Sequence, residues 1–325
     1  MDEATDSIKR QNDALADQQA FENRIKQFIG LQGAAIVMRR ALQDAMQTIK
    51  ELDATMTEMA VVTDLGVSDY WDQLPEYTAR ANDLGMAIND VYKADTLFYQ
   101  QGLKTNEVVE LSTQTIKMAR VAGLDTAEAT DRMTAALRGF NMELNEANAT
   151  NIADVYSKLA AITASDVDEI SSAMTKTASI ASSAGMEFET TAAFLSQIIE
   201  TTRESAETAG TAMKTVIARF QELKKDPAEI GEVDGEIVDA NKIETALRSV
   251  GVALRDSSGQ FRELDDVFLE LSSKWDGLDK NTQRYIATIA AGSRQQSRFL
   301  AMMSDYARTQ ELVAAANNAA GASNE

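Results

Sequence analysis

Chemistry in this chain would have to come from carboxylates. Among its 51 acidic side chains, Asp166, Asp168, Glu169, Glu200 and Glu204 could supply the pair that cleaves a glycosidic bond. In such a pair one carboxylic acid protonates the leaving oxygen while a carboxylate opposite activates water or attacks the sugar. Other reacting groups are missing by composition. The 325 residues contain neither cysteine nor histidine, which removes thiol nucleophiles, imidazole bases, disulfides and zinc sites built on Cys or His. There is no calcium-loop pattern, no phosphate-cradling Gly-rich loop and no dinucleotide fingerprint. With so many acidic residues, chance pairs are guaranteed, so the expectation is no catalytic, cofactor-binding or metal-binding residue and no enzyme.

The charge balance bears on partners. With 31 basic against 51 acidic side chains the net charge is −20, whereas sequence-independent grip on phosphates needs concentrated Lys and Arg. Arg39–Arg40 and Lys224–Lys225 are isolated pairs and read as solvated positions on helix faces. Nucleic acid is therefore not an expected partner. The opening residues, polar and acidic, lack the basic start and apolar centre of a secretory signal. No run approaches the ~18 consecutive apolar residues of a membrane span.

The elements that would position any site are helical. Only 2 prolines against 14 methionines, with abundant Ala, Glu and Gln, predict an all-α chain. Residues 1–60 read as a long N-terminal helix or stalk. Leu42, Met46, Ile49, Met56 and Ala60 keep a heptad-like spacing that Asp53 interrupts, while Ile8, Leu15, Ile25 and Phe28 are sparser and Gly30 and Gly33 could bend the rod. Such a helix could bind a partner or pack on its own chain.

Residues 61–225 read as short helices closed by Gly85, Gly102, Gly123 and Gly185. Ser68, Asn89, Asp125 and Ser165 are the expected N-caps, with Glu128, Asp168 and Glu169 in first turns and Pro75 at a helix start. Trp71, Tyr77 and Tyr92 are expected in the core or at its rim. Laying Gly123 on Gly185, an offset of 62 residues, superposes Thr113, Thr115, Ala119 and Ala122 on Thr175, Thr177, Ala181 and Ala184. Residues 106–138 and 168–200 thus read as a duplicated helix–turn–helix. Ala178, Ala181, Ala209 and Gly210 predict close helix approach.

Residues 226–240, with Gly231, Gly235 and six acidic residues in 226–239, read as an acidic linker. Residues 241–303 read as helix, β-hairpin, helix, helix. Val252, Leu254 and Phe261 alternate about the turn Asp256–Gly259, which predicts a two-stranded ribbon at 252–262. Trp275, Phe268, Phe261, Ile289 and Phe299 are the expected packing residues, and Arg294 could cap carbonyls, form an ion pair or lie exposed. Residues 304–325 read as a trailing helix at the truncated end of a longer chain.

The ordered runs VGVALRDSSGQFREL, ELDDVFLELSSKWDGL and IATIAAGSRQQSRFLAMM resemble the core region of bacteriophage or prophage tail tape measure proteins. So do the runs Tyr99–Glu143 and Lys176–Ser205, and together they cover roughly residues 61–303. The resemblance implies a virion structural segment, made in the host cytoplasm and housed in the tail lumen. The family's role is to scaffold tube polymerisation, fix tail length and leave when DNA is delivered. Implied partners are the tail tube protein, distal tail or tip proteins and tail assembly chaperones, with a trimer or hexamer of the chain itself. A cell-wall hydrolase domain and a helical signalling or pore-forming bundle are the alternatives.

Overall fold

The computed structural model describes residues 35–222, 231–233, 236–238 and 240–324. Contacts divide the chain into residues 1–51 and 52–325. In the first unit the described part is the beginning of α1 (Ala35–Val62), where Met46 is 43 % exposed and Gln47 donates to Glu51 at 2.7 Å. Ile8, Leu15, Ile25, Phe28, Gly30 and Gly33 lie outside the described residues, as does the Leu42 side chain.

The second unit is all-α in construction. After α1 come α2 (Val67–Asp72), α3 (Leu74–Leu84), α4 (Ile88–Gln100), α5 (Thr105–Ala122), α6 (Thr126–Gly139) and α7 (Glu146–Ile162). Then follow α8 (Val167–Ser183), α9 (Phe188–Thr202), α10 (Ala206–Glu222), α11 (Ala240–Ser249), α12 (Leu264–Trp275), α13 (Lys280–Met303) and α14 (Tyr306–Asn317). A short 3-10 turn at Ala322–Asn324 closes the described chain.

Two apolar clusters organise these helices. The smaller gathers Leu52, Met56 and Met59 of α1 with Tyr70, Tyr77, Leu84, Val91, Tyr92 and Ile116. Tyr77 stacks face to face on Tyr92 at 3.7 Å between centroids, and Tyr70 meets Tyr92 edge-on. Asp53, the residue that interrupts the α1 heptads, accepts the Trp71 indole N–H at 3.1 Å. The larger cluster runs from Phe98 to Ala319. Its centre is α9, whose residues are buried on nearly every side from Phe188 to Ile199, the pattern of a helix enclosed by others.

Beside α9, helix α8 packs against α6 and α10 through glycine. A side chain on Gly139 would meet the Ala178 Cβ at 2.4 Å, and one on Gly210 would meet the Ala173 carbonyl oxygen at 2.6 Å. Thr177 donates across the second crossing to the Gly210 carbonyl at 3.2 Å. Small residues here permit backbone approach within the unit. Phe268 of α12 meets Phe194 and Phe220 edge-on, Trp275 meets Phe299, and each such buried ring contributes about 1.5–3 kcal/mol. Phe261 and Ile289 are half-buried against the same core.

Helix ends follow local chemistry, with three corrections. Asp125 caps α6 through the Glu128 N–H at 2.9 Å, Pro75 sits in the first turn of α3, and Gly85 and Gly123 close α3 and α5 in the left-handed region. The caps expected at Ser68, Asn89 and Ser165 are instead Gly66, Ala87 and Asp166. Each polar side chain is engaged elsewhere or displaced by a better acceptor. Asp69 takes the Gly66 N–H at 2.8 Å, Asn89 accepts from the Thr55 hydroxyl at 2.7 Å, and Ser165 pairs with Thr163 at 2.6 Å.

The ribbon expected at 252–262 is not formed. One bridge, Arg255 to Phe261, replaces the ladder. The Asp256 carboxylate collects the Ser258 N–H, the Ser258 hydroxyl and the Gln260 N–H at 2.6–3.0 Å, which winds the segment into a loop. Val252 and Leu254 are buried nonetheless, and Arg255 stacks over the Phe261 ring at 3.8 Å. Within 226–240, three-residue strands β1 (Gly231–Val233) and β2 (Glu236–Val238) pair antiparallel, Glu232 opposite Ile237. In α13, Gly292 takes φ 75°, ψ 171°, a conformation open to glycine alone, and breaks the helix in two.

Candidate functional site

The five carboxylates that could do chemistry are distributed among helix ends. Asp166 accepts the Glu169 N–H at 2.8 Å and Glu169 returns to the Asp166 N–H at 3.2 Å, a capping box at the head of α8. Asp168 is held by Arg132, which also bonds Glu128 and the Ser171 hydroxyl. Glu200 and Glu204, on the last turn of α9 and just after it, each face an arginine from the C-terminal helices. Arg308 bonds both Glu200 oxygens at 2.8 and 2.9 Å and also reaches the Ile162 carbonyl. Arg298 bonds both Glu204 oxygens at 2.5 and 2.6 Å.

Electrostatics follow from these bonds. The Arg308 hydrogen bonds hold the Glu200 carboxyl below its usual range, the opposite of what a general acid needs. Burial works the other way on Asp265, a residue the sequence reading passed over. Its carboxyl is pushed up to about 7 by loss of water, against the Glu187 N–H bond and the nearby Thr190 hydroxyl, which favour the charge.

A second polar group joins the smaller cluster to α5. Arg80 bonds Asp95 at 2.8 Å and the Ser112 hydroxyl at 2.7 Å, and the Tyr77 hydroxyl donates to the same Asp95 oxygen at 2.9 Å. Asp95 is fully buried, so this pairing is what makes its burial tolerable. At the chain's other end Asp154, also buried, accepts the Gly321 and Ser323 N–H groups at 2.6 and 2.8 Å and fixes the closing turn on α7. Arg294 borders an open polar cleft of about 430 Å³ with Glu207, Thr208, Thr211, Gln295 and Arg298.

Among the described residues no group of three or more acidic side chains is arranged to hold a metal ion. No described helix is long and apolar enough to cross a membrane. The polar contacts join guanidinium to carboxylate and carboxylate to helix end, and glycine permits close backbone approach.

Comparison with known proteins gives this geometry a setting. A family profile described as Phage-related minor tail protein matches residues 78–292, about two thirds of the chain. A tape measure protein of Pneumococcus phage Dp-1 is 25 % identical over 203 residues, covering 62 % of this chain and 16 % of the relative. A probable tape measure protein of Escherichia phage P2 is 22 % identical over 294 residues, covering 84 % of this chain and 34 % of the relative. The chain thus spans about a sixth and a third of the lengths of these relatives. No solved structure matches it. The matched span runs from α3 into α13, and the chain belongs to the family of phage-related minor tail proteins, beside the phage tape measure proteins.

Proposed function

We propose that this segment is a non-enzymatic, folded part of a phage tail tape measure protein. In this reading the full protein scaffolds polymerisation of the tail tube, fixes its length and leaves the lumen at DNA ejection. The segment serves as a compact head, and the length-setting reach comes from extended helix elsewhere in the protein. Its partners are the tube protein, distal tail proteins and assembly chaperones, and copies associate as a trimer or hexamer. The hairpins α5–α6 and α8–α9 are read as a duplicated unit, each turning on a left-handed glycine, Gly123 and Gly185.

The observation that carries the reading is the engagement of every candidate carboxylate. Asp166 and Glu169 cap α8, while Asp168, Glu200 and Glu204 are bound by Arg132, Arg308 and Arg298. Side chains so engaged hold helices together, and a hydrolase would need one of them protonated and one free to act on water or sugar. Zymography of the purified chain on peptidoglycan tests this. No cleared band is expected, and a cleared band would replace the structural reading with a cell-wall hydrolase.

A further inference from the structure

Asp265 is the buried carboxylate that neither an ion pair nor its own helix accounts for. It lies in the first turn of α12, is 9 % exposed, and accepts the Glu187 N–H at 2.8 Å from 78 residues away. It thereby caps α9, whose own N-cap residue Glu187 makes no side-chain cap bond. Two neighbours strengthen the join. The Leu264 N–H donates to the Ala184 carbonyl at 3.3 Å, and the Glu263 carboxylate occupies the space that a side chain on Gly185 would fill. Three successive residues at the entry to α12 clasp the turn between α8 and α9.

The charge inside this clasp is poorly matched. Asp265 Oδ1 is buried without a hydrogen-bond partner. The charged groups that face the carboxyl are acidic: Glu187 from the head of α9 and Asp266 on its own helix, with Glu263 beside them over Gly185. Ionisation is opposed by desolvation and by this repulsion, and favoured only by the α9 N–H groups, the Thr190 hydroxyl and the positive end of the α9 dipole. Protonation removes the opposition, and the second oxygen still accepts the Glu187 N–H. We propose that the Glu263–Asp265 clasp on the α8–α9 turn is a proton-operated latch, closed while Asp265 carries its proton and loosened as it ionises.

The sign follows from linkage. A carboxyl raised to about 7 in the folded chain binds more protons there than in the unfolded chain. Its contribution to stability is therefore full in acid and declines as pH rises from ~4 to ~7. The test is the unfolding equilibrium constant in urea of the 325-residue chain and of Asp265→Asn, measured from pH 4 to 8. The remaining acidic residues act alike in both proteins, so their ratio isolates Asp265. The variant is expected to gain on the wild type by up to about tenfold in unfolding constant per pH unit across that window, then level off. An ordinary anionic cap predicts the reverse, the variant losing ground above pH ~4, and that result or a flat ratio overturns the latch. Glu187→Gln, at an exposed site, serves if Asp265→Asn does not fold. Removing that charge should move the wild-type transition to lower pH, and an unmoved transition also overturns the proposal.

Discussion

Replacing Gly210 by alanine sets two physical effects of opposite sign against each other. In an isolated helix the change stabilises by about 1 kcal/mol, because alanine restricts the unfolded chain and favours the helix. At this position the added Cβ would lie 2.6 Å from the Ala173 carbonyl oxygen and 3.0 Å from the Ala173 Cα. Both are backbone atoms, so no rotamer relieves the contact, and α8 and α10 must part by about 0.5–1 Å to reach ordinary van der Waals distance. Overpacking of this kind costs about 1–3 kcal/mol. The Thr177 to Gly210 bond, already 3.2 Å, would lengthen and weaken, adding up to about 1 kcal/mol. The clash wins, with a net loss of about 1–3 kcal/mol and a Tm lower by several degrees. Urea unfolding followed by circular dichroism measures it, with Thr211→Ala on the exposed neighbour as a control expected within about 0.5 kcal/mol of wild type. A Gly210→Ala chain as stable as wild type, or more so, would refute the close α8–α10 crossing.

Other perturbations separate backbone strain from contact and charge. Gly123→Ala meets nothing within 4 Å and should cost only the left-handed penalty of about 1–2 kcal/mol; Gly185→Ala should cost more, and adding Glu263→Ala should recover the excess in the same unfolding assay. Asp154→Ala removes the acceptor of the Gly321 and Ser323 N–H groups, so both amides should lose hydrogen-exchange protection while those of α9 keep theirs. Arg308→Ala should destabilise by about 1 kcal/mol at pH 7. Because Arg308 depresses the Glu200 carboxyl, that contribution is present above the ordinary Glu value near 4.3 and disappears as pH falls through the lower folded value, so the two unfolding curves should converge in acid.

What the sequence made legible was local. Gly85, Gly123 and Asp125 announce helix ends because one residue sets the geometry, and the all-α class follows from proline scarcity and alanine-rich runs. The ribbon misreading has the same root: alternation of Val252, Leu254 and Phe261 looks like a strand, yet the Asp256 carboxylate organises the loop instead. Contacts between distant segments left no such trace. Asp265 caps a helix 78 residues away, Asp154 grips a turn 167 residues on, and Arg308 seals Glu200 across 108. No spacing rule links partners that far apart. The carboxylate candidates could be named from composition, but only their guanidinium and helix-end partners say what they do.

In the proposed reading, residues 52–325 are a compact head of a tail protein and not part of its ruler. As an extended helix these residues would span about 410 Å at ~1.5 Å per residue, whereas a single folded unit of that size has a radius of gyration of about 19 Å. The most direct measurement is tail length by electron microscopy in a phage carrying an in-frame deletion of residues 52–325 from the gene that encodes this chain. A head outside the ruler predicts that tails fail to form or, where they form, keep their wild-type length. Uniform tails shortened by about 410 Å, the span of these residues as extended helix at ~1.5 Å per residue, would contradict it.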